Sequence, residues 1–189
     1  MKNKALFLVL ALLLTVGIVA GCSTDKVVEE VVEEKEKISE EVTTDVVTTA
    51  SIVDDVTAFE KAISKDGTWI IAIVNDLKTD KELVVDGEFR DNNEAEGDLY
   101  RKLALYTQDE DRVVTARYTV TAPKMTIKSP NTKIQSGTFV GDVYVESNGF
   151  TLTDASIDGN LYFATEENKA TFTNEKESKV TGVTEVKAE

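Results

Sequence analysis

Cys22 is the most nucleophilic side chain in this 189-residue chain, which has one cysteine and no histidine. Without imidazole, Ser-His-Asp and Cys-His mechanisms and the commonest zinc sites drop out. Two oxygen-rich clusters remain. Asp91, Asn92, Asn93 and Glu94, with Gly97 and Asp98 close behind, resemble a cation loop in composition. The glycine, however, falls one place late for calcium-loop spacing. Asp109, Glu110, Asp111 and Arg112 set three acids beside a base. Neither cluster gives two carboxylates flanking a cleft, as glycoside hydrolysis needs. Both read as charged surface loops, so no catalytic residue, metal ligand or cofactor is assigned and the chain reads as a non-enzyme. Trp69 and Tyr106 could stack on sugars, but aromatics in apolar strands are more often core. Tyr144 and Tyr162 occupy equivalent positions of a repeat. They form either a ligand surface for carbohydrate or a packing ladder.

The context of Cys22 is more specific. Lys2 and Lys4 precede an uncharged, mostly apolar run over residues 5–20, and Val19-Ala20-Gly21-Cys22 follows. A positive start, an apolar middle and small residues at a cut describe a signal peptide. The run is slightly short for a spanning helix. Val19-Ala20-Gly21-Cys22 resembles the lipobox of bacterial lipoproteins. That resemblance implies diacylglycerol on the Cys22 thiol and cleavage between Gly21 and Cys22. Lipidation also removes a free thiol that would be a liability in an exported protein. The competing reading is an uncleaved membrane anchor. Either one puts the remainder outside the cytoplasm, held to the cell membrane.

Thirty-five acids against 21 bases give a net charge of −14. Such a surface repels phosphate backbones, so nucleic acid is excluded as a partner. It also opposes lying flat on anionic lipid. No disulfide can staple the fold, because no second cysteine exists.

These residues need elements to hold them. Residues 1–21 are the signal and residues 22–51 are a low-complexity acidic tether. The tether contains Val27-Val28-Glu29-Glu30-Val31-Val32-Glu33-Glu34 and is either a solvated stalk or a short coiled coil. Residues 52–189 form the folded domain. A capping box of Thr57 and Glu60 opens a short helix over residues 56–65, with Gly67 at its end. Strand-like runs follow at 69–74, 82–85, 88–89, 102–106 and 112–120. Val140-Gly141-Asp142-Val143-Tyr144-Val145 then matches Asp158-Gly159-Asn160-Leu161-Tyr162-Phe163, with a weaker copy at residues 181–186. An apolar-Thr-apolar motif recurs at residues 125–127, 150–152 and 170–172. A period of about 20 residues with short alternating strands predicts an all-β fold, a single-stranded right-handed β-helix (β-solenoid) with a short N-terminal capping helix. A β-sandwich with a shared turn residue is the alternative.

The pattern from Phe59 to Phe89 is similar to the start of pectate-lyase-like β-helices, where a helix covers the first coil. The Gly-Asp-Val repeats resemble those of bactofilins, polymer-forming bacterial β-helix proteins. Pectate-lyase-like enzymes combine carboxylate-held calcium with a basic proton acceptor, and neither is assigned here. The connections look short, leaving little to build a groove. The expected role is structural or adhesive at the cell envelope, with a lipid anchor in the membrane and a polysaccharide or envelope protein as partner. The alternatives are a polysaccharide-binding module, a degenerate polysaccharide lyase and a self-assembling scaffold.

Overall fold

Short runs of alternating apolar residues cannot bury a face alone, and this chain buries them by stacking one run on the next. A computed structural model describes residues 50–188. Gly21, Cys22, the expected signal and nearly all of the expected tether lie outside the described residues.

Strand β1 (Ala50–Val53) leads into helix α1 (Val56–Ile63). Asp55 is extended and its carboxylate accepts the Ala58 N–H at 2.9 Å. The cap therefore sits two residues before the expected Thr57, and the helix ends two residues before the expected Lys65. Phe59, Ala62 and Ile63 face the core.

The chain then traces a similar path five times. The first pass is β2 (Ile70–Ile73), β3 (Leu77–Lys78) and β4 (Leu83–Val85). The second is β5 (Arg101–Ala104), a hairpin of β6 (Tyr106–Gln108) and β7 (Val114–Arg117), and the long β8 (Thr119–Ile127). The third is β9 (Thr132–Gln135) and β10 (Thr138–Val145). The fourth is β11 (Thr151–Thr153), β12 (Ser156–Asp158) and β13 (Leu161–Phe163). Helix α2 (Glu166–Ala170) separates it from the fifth, β14 (Thr173–Glu175), β15 (Lys179–Val180) and β16 (Thr184–Val186).

The described residues are mostly β, and the two large sheets are parallel. One sheet runs β1-β2-β5-β9-β11-β14; in the other, β8 and β10 are each long enough to pair with two strands of a neighbouring pass. Register puts like on like. Ile71, Leu103, Ile134 and Leu152 stack in one ladder, all fully buried. Leu77, Val120, Phe139, Ile157 and Val180 form a second. Val85, Ile127, Val145, Phe163 and Val186 form a third. Each fully buried side chain of this size contributes about 1.5–3 kcal/mol. In the last pass the ladders change chemistry. Asn174 follows Leu152, and Thr184 follows Leu161, and both are exposed.

The repeated glycines mark a tight corner. A Cβ on Gly141 would collide with the Ala122 carbonyl, and one on Gly159 with the Gly141 carbonyl. Gly141 also has φ +135, a conformation that disfavours side chains. Asp142 and Asn160 lock the corner, with Asn160 N–H and Nδ2 both donating to Asp142 Oδ1.

Several expectations need correction. Residues 112–120 are not one strand: β7 turns back antiparallel to β6, and β8 starts anew in the parallel sheet. The break is Tyr118, whose N–H donates to Leu105 O and whose carbonyl accepts from Thr138 N–H. Residues 102–106 likewise split around Leu105. Residues 170–172 are not strand. Thr165 accepts the Asn168 N–H and acids fill the first turn, so α2 forms and Thr171 ends it. Met125-Thr126-Ile127 is in register with Val143-Tyr144-Val145 rather than equivalent to residues 150–152. The connections are not all short, since a hairpin and the stretch between β4 and β5 leave the path.

Candidate functional site

Tyr144 and Tyr162 are in register on neighbouring strands. They alternate with Val143, Val145, Leu161 and Phe163, which all belong to the core. Tyr144 is only 5% exposed. Tyr162 is half-buried and carries the Lys187 ammonium 4.4 Å from its ring centre. Their shared row runs from Val84 through Thr126 to Glu185. The pairing foreseen from the repeat is present, but it exposes little ring surface for stacking.

The oxygen clusters are held by their own backbones. Residues 91–93 form a 3-10 turn; Asp91 N–H donates to Asp98 O and Gly97 N–H to Glu94 O, both at 2.9 Å. Arg90 Nη1 donates to Gly97 O at 2.6 Å. Residues 109–112 are the tip of the β6–β7 hairpin, where Val113 N–H donates to the Asp109 carboxylate at 2.8 Å. Among the described residues, no three acidic side chains converge as a metal site would require.

Trp69 and Tyr106 are buried. Trp69 packs edge-tilted on Tyr100, ring centres 6.0 Å apart. Burial pushes the Tyr100 hydroxyl up to about 12, helped by the nearby Asp91, Tyr106 and Glu175.

Arg101 is the largest fully buried side chain described. Nη2 donates to Ala62 O at 2.7 Å and Ser64 O at 3.0 Å, at the end of α1. Nη1 donates to Asp86 O and to Ser129 Oγ. The guanidinium lies 4.1 Å above the Phe89 ring. Burial pushes it down to about 10, opposed by Asp86, so it stays charged at neutral pH. Three of its four targets are backbone carbonyls, two of them at the end of α1, which makes it a clamp rather than a reactive group. The sequence reading passed over Arg101. The alternation that turns Leu103 inward turns Arg101 inward too, and that was the available signal.

At another corner Arg117 Nη2 bonds Asp154 Oδ2 at 2.7 Å, and Ser136 Oγ donates to the same oxygen at 3.0 Å. The Arg117 bond is the main reason that the Asp154 carboxyl is held below its usual range.

The outer face of the first sheet carries a groove of about 290 Å³, lined by Ile52, Ile70, Ala72, Val74 and Ala104, with Lys102, Tyr106, Thr107 and Gln108 along one side. The β6–β7 hairpin, whose first strand supplies Tyr106 to Gln108, forms that side. Ile52 is 70% exposed. Lys102 Nζ donates to Tyr106 Oη at 3.0 Å.

Comparison with known proteins gives no significant match, whether with family models, curated proteins or solved structures.

Proposed function

We propose that this chain is a lipid-anchored, non-enzymatic protein of the cell envelope, displayed outside the cytoplasm on an acidic tether. Its folded part is read as a single-stranded right-handed β-helix, with the handedness that parallel crossovers overwhelmingly adopt. The five stacked passes support this architecture. The observation that carries the non-enzymatic reading is how the polar groups are used. Arg101 bonds helix-end carbonyls, Asp142 and Asn160 bond each other across passes, and Thr181 bonds Asp158 and Gly159. These groups tie successive passes together.

The ends favour a structural or adhesive domain over a polymerising scaffold. Helix α1 covers one end with Phe59 and Ile63. The last pass presents Asn174, Thr184 and Glu185, a polar terminal repeat of the kind that stops stacking. Carbohydrate recognition through Tyr144 and Tyr162 is the less favoured reading, because so little of Tyr144 is open.

Palmitate labelling in a bacterial host tests the anchor. The intact chain should take up label and stay with membranes. The Cys22→Ala variant should do neither; equal labelling of both would sink the lipid-anchor reading. A sugar array, run with and without calcium, tests the carbohydrate alternative. Specific binding there would move the protein to that class.

A further inference from the structure

The outer face of the first sheet is chemically divided. In one row the register runs Ile70, Lys102, Lys133, Thr151. In the next it runs Ile52, Ala72, Ala104, Gln135. The aliphatic ends of both rows floor the groove; Lys102 lines it, and Lys133, next in the row, stands one strand beyond the lining. Adjacent strands lie about 4.8 Å apart, so these two like charges repel. Both lysines are half-buried. In a chain with 35 acids, neither forms an ion pair among the described residues. Lys102 instead donates to the Tyr106 hydroxyl.

We propose that this groove binds a single-chain fatty carboxylate, its head on Lys102 and Lys133 and its tail along Ile70, Ala72 and Ile52. The head must be anionic because only an anion relieves the lysine pair, and each N⁺–H···O⁻ contact is among the stronger hydrogen bonds. The tail must be aliphatic because the groove floor is aliphatic side chain. A sugar or peptide laid there would bury polar groups without partners. One chain suffices, since the groove sits near the lower end of ligand-pocket volumes, about 300 Å³.

The test uses the full chain in zwitterionic nanodiscs and a diazirine-bearing decanoate, with crosslinked peptides mapped by mass spectrometry. Label should concentrate on peptides holding Ile52, residues 70–74 and residues 104–108. Excess decanoate should displace it, and decanol should not. Lys102→Ala and Lys133→Ala should each weaken labelling about tenfold, the effect of losing one charge-assisted bond. Lys102→Arg with Lys133→Arg should retain it, separating charge from packing. Scattered label, displacement by decanol, or unchanged labelling in the double alanine variant would each overturn the proposal.

Discussion

Arg101 ties three segments that are distant in sequence: the end of α1, the turn after β4, and Ser129. Removing it takes a charged donor from three backbone carbonyls and from Ser129 Oγ at once. Arg101→Leu should therefore lower unfolding stability by about 3 kcal/mol in a urea titration. Arg101→Lys should recover less than half, since an ammonium cannot reproduce the planar fork. Asp154 makes a smaller, pH-dependent contribution. Its folded carboxyl titrates below the usual 3.8 because Arg117 and Ser136 favour the anion. That contribution is complete above the usual value and is lost as pH falls through the depressed one. The pair is half-exposed, so the effect is about 0.5 kcal/mol. Asp154→Asn should lower stability at neutral pH by about 0.5 kcal/mol and flatten the acid limb of a stability-versus-pH curve, the two proteins converging below the depressed pKa.

At the scale of elements, the glycine corner and the hairpin predict opposite behaviour. Gly141→Ala drives a methyl into the Ala122 carbonyl at a positive φ. Thermal unfolding should show a loss of about 2–3 kcal/mol. The hairpin tip, by contrast, bonds only to itself. Replacing residues 109–112 with Asn-Gly should leave the melting temperature within about 2 °C of the original. Legibility in the sequence divides along the same line. The Gly141 and Gly159 repeats were readable because a corner that excludes Cβ has no alternative residue, and their register is as the motif implied. The strand breaks at Leu105 and Tyr118 were not readable. Both residues are good strand formers, and the chain turns there because backbone groups of neighbouring passes bond to them. α2 was misread because an apolar-Thr-apolar run fits a strand as well as a helix end, and the deciding cap at Thr165 lies upstream. The groove escaped notice altogether. Ile52, Ala72 and Lys102 come together only through register between strands far apart in sequence.

At the largest scale, the helix over the first pass and the polar side chains of the last predict a monomer. The Cys22→Ala chain should sediment at one mass over a hundredfold range of concentration; a concentration-dependent series of larger species would favour the scaffold reading. Stability in such a stack is a sum of nearest-neighbour terms. The fifth pass pairs with the fourth through three short parallel strands, but most of its own side chains are exposed, so little apolar burial holds it. Amide exchange should be fastest there and slowest around Phe139 and Ile157. The third and fourth passes are offset by 18 residues at their shared corner, where Asn160 meets Asp142. That interval is one graduation of a ruler whose other steps run to 22–23 and 31–32 residues. Copying one graduation in tandem inserts a whole layer without shifting any rung, and the molecule grows taller by one strand spacing while both ends stay as they are.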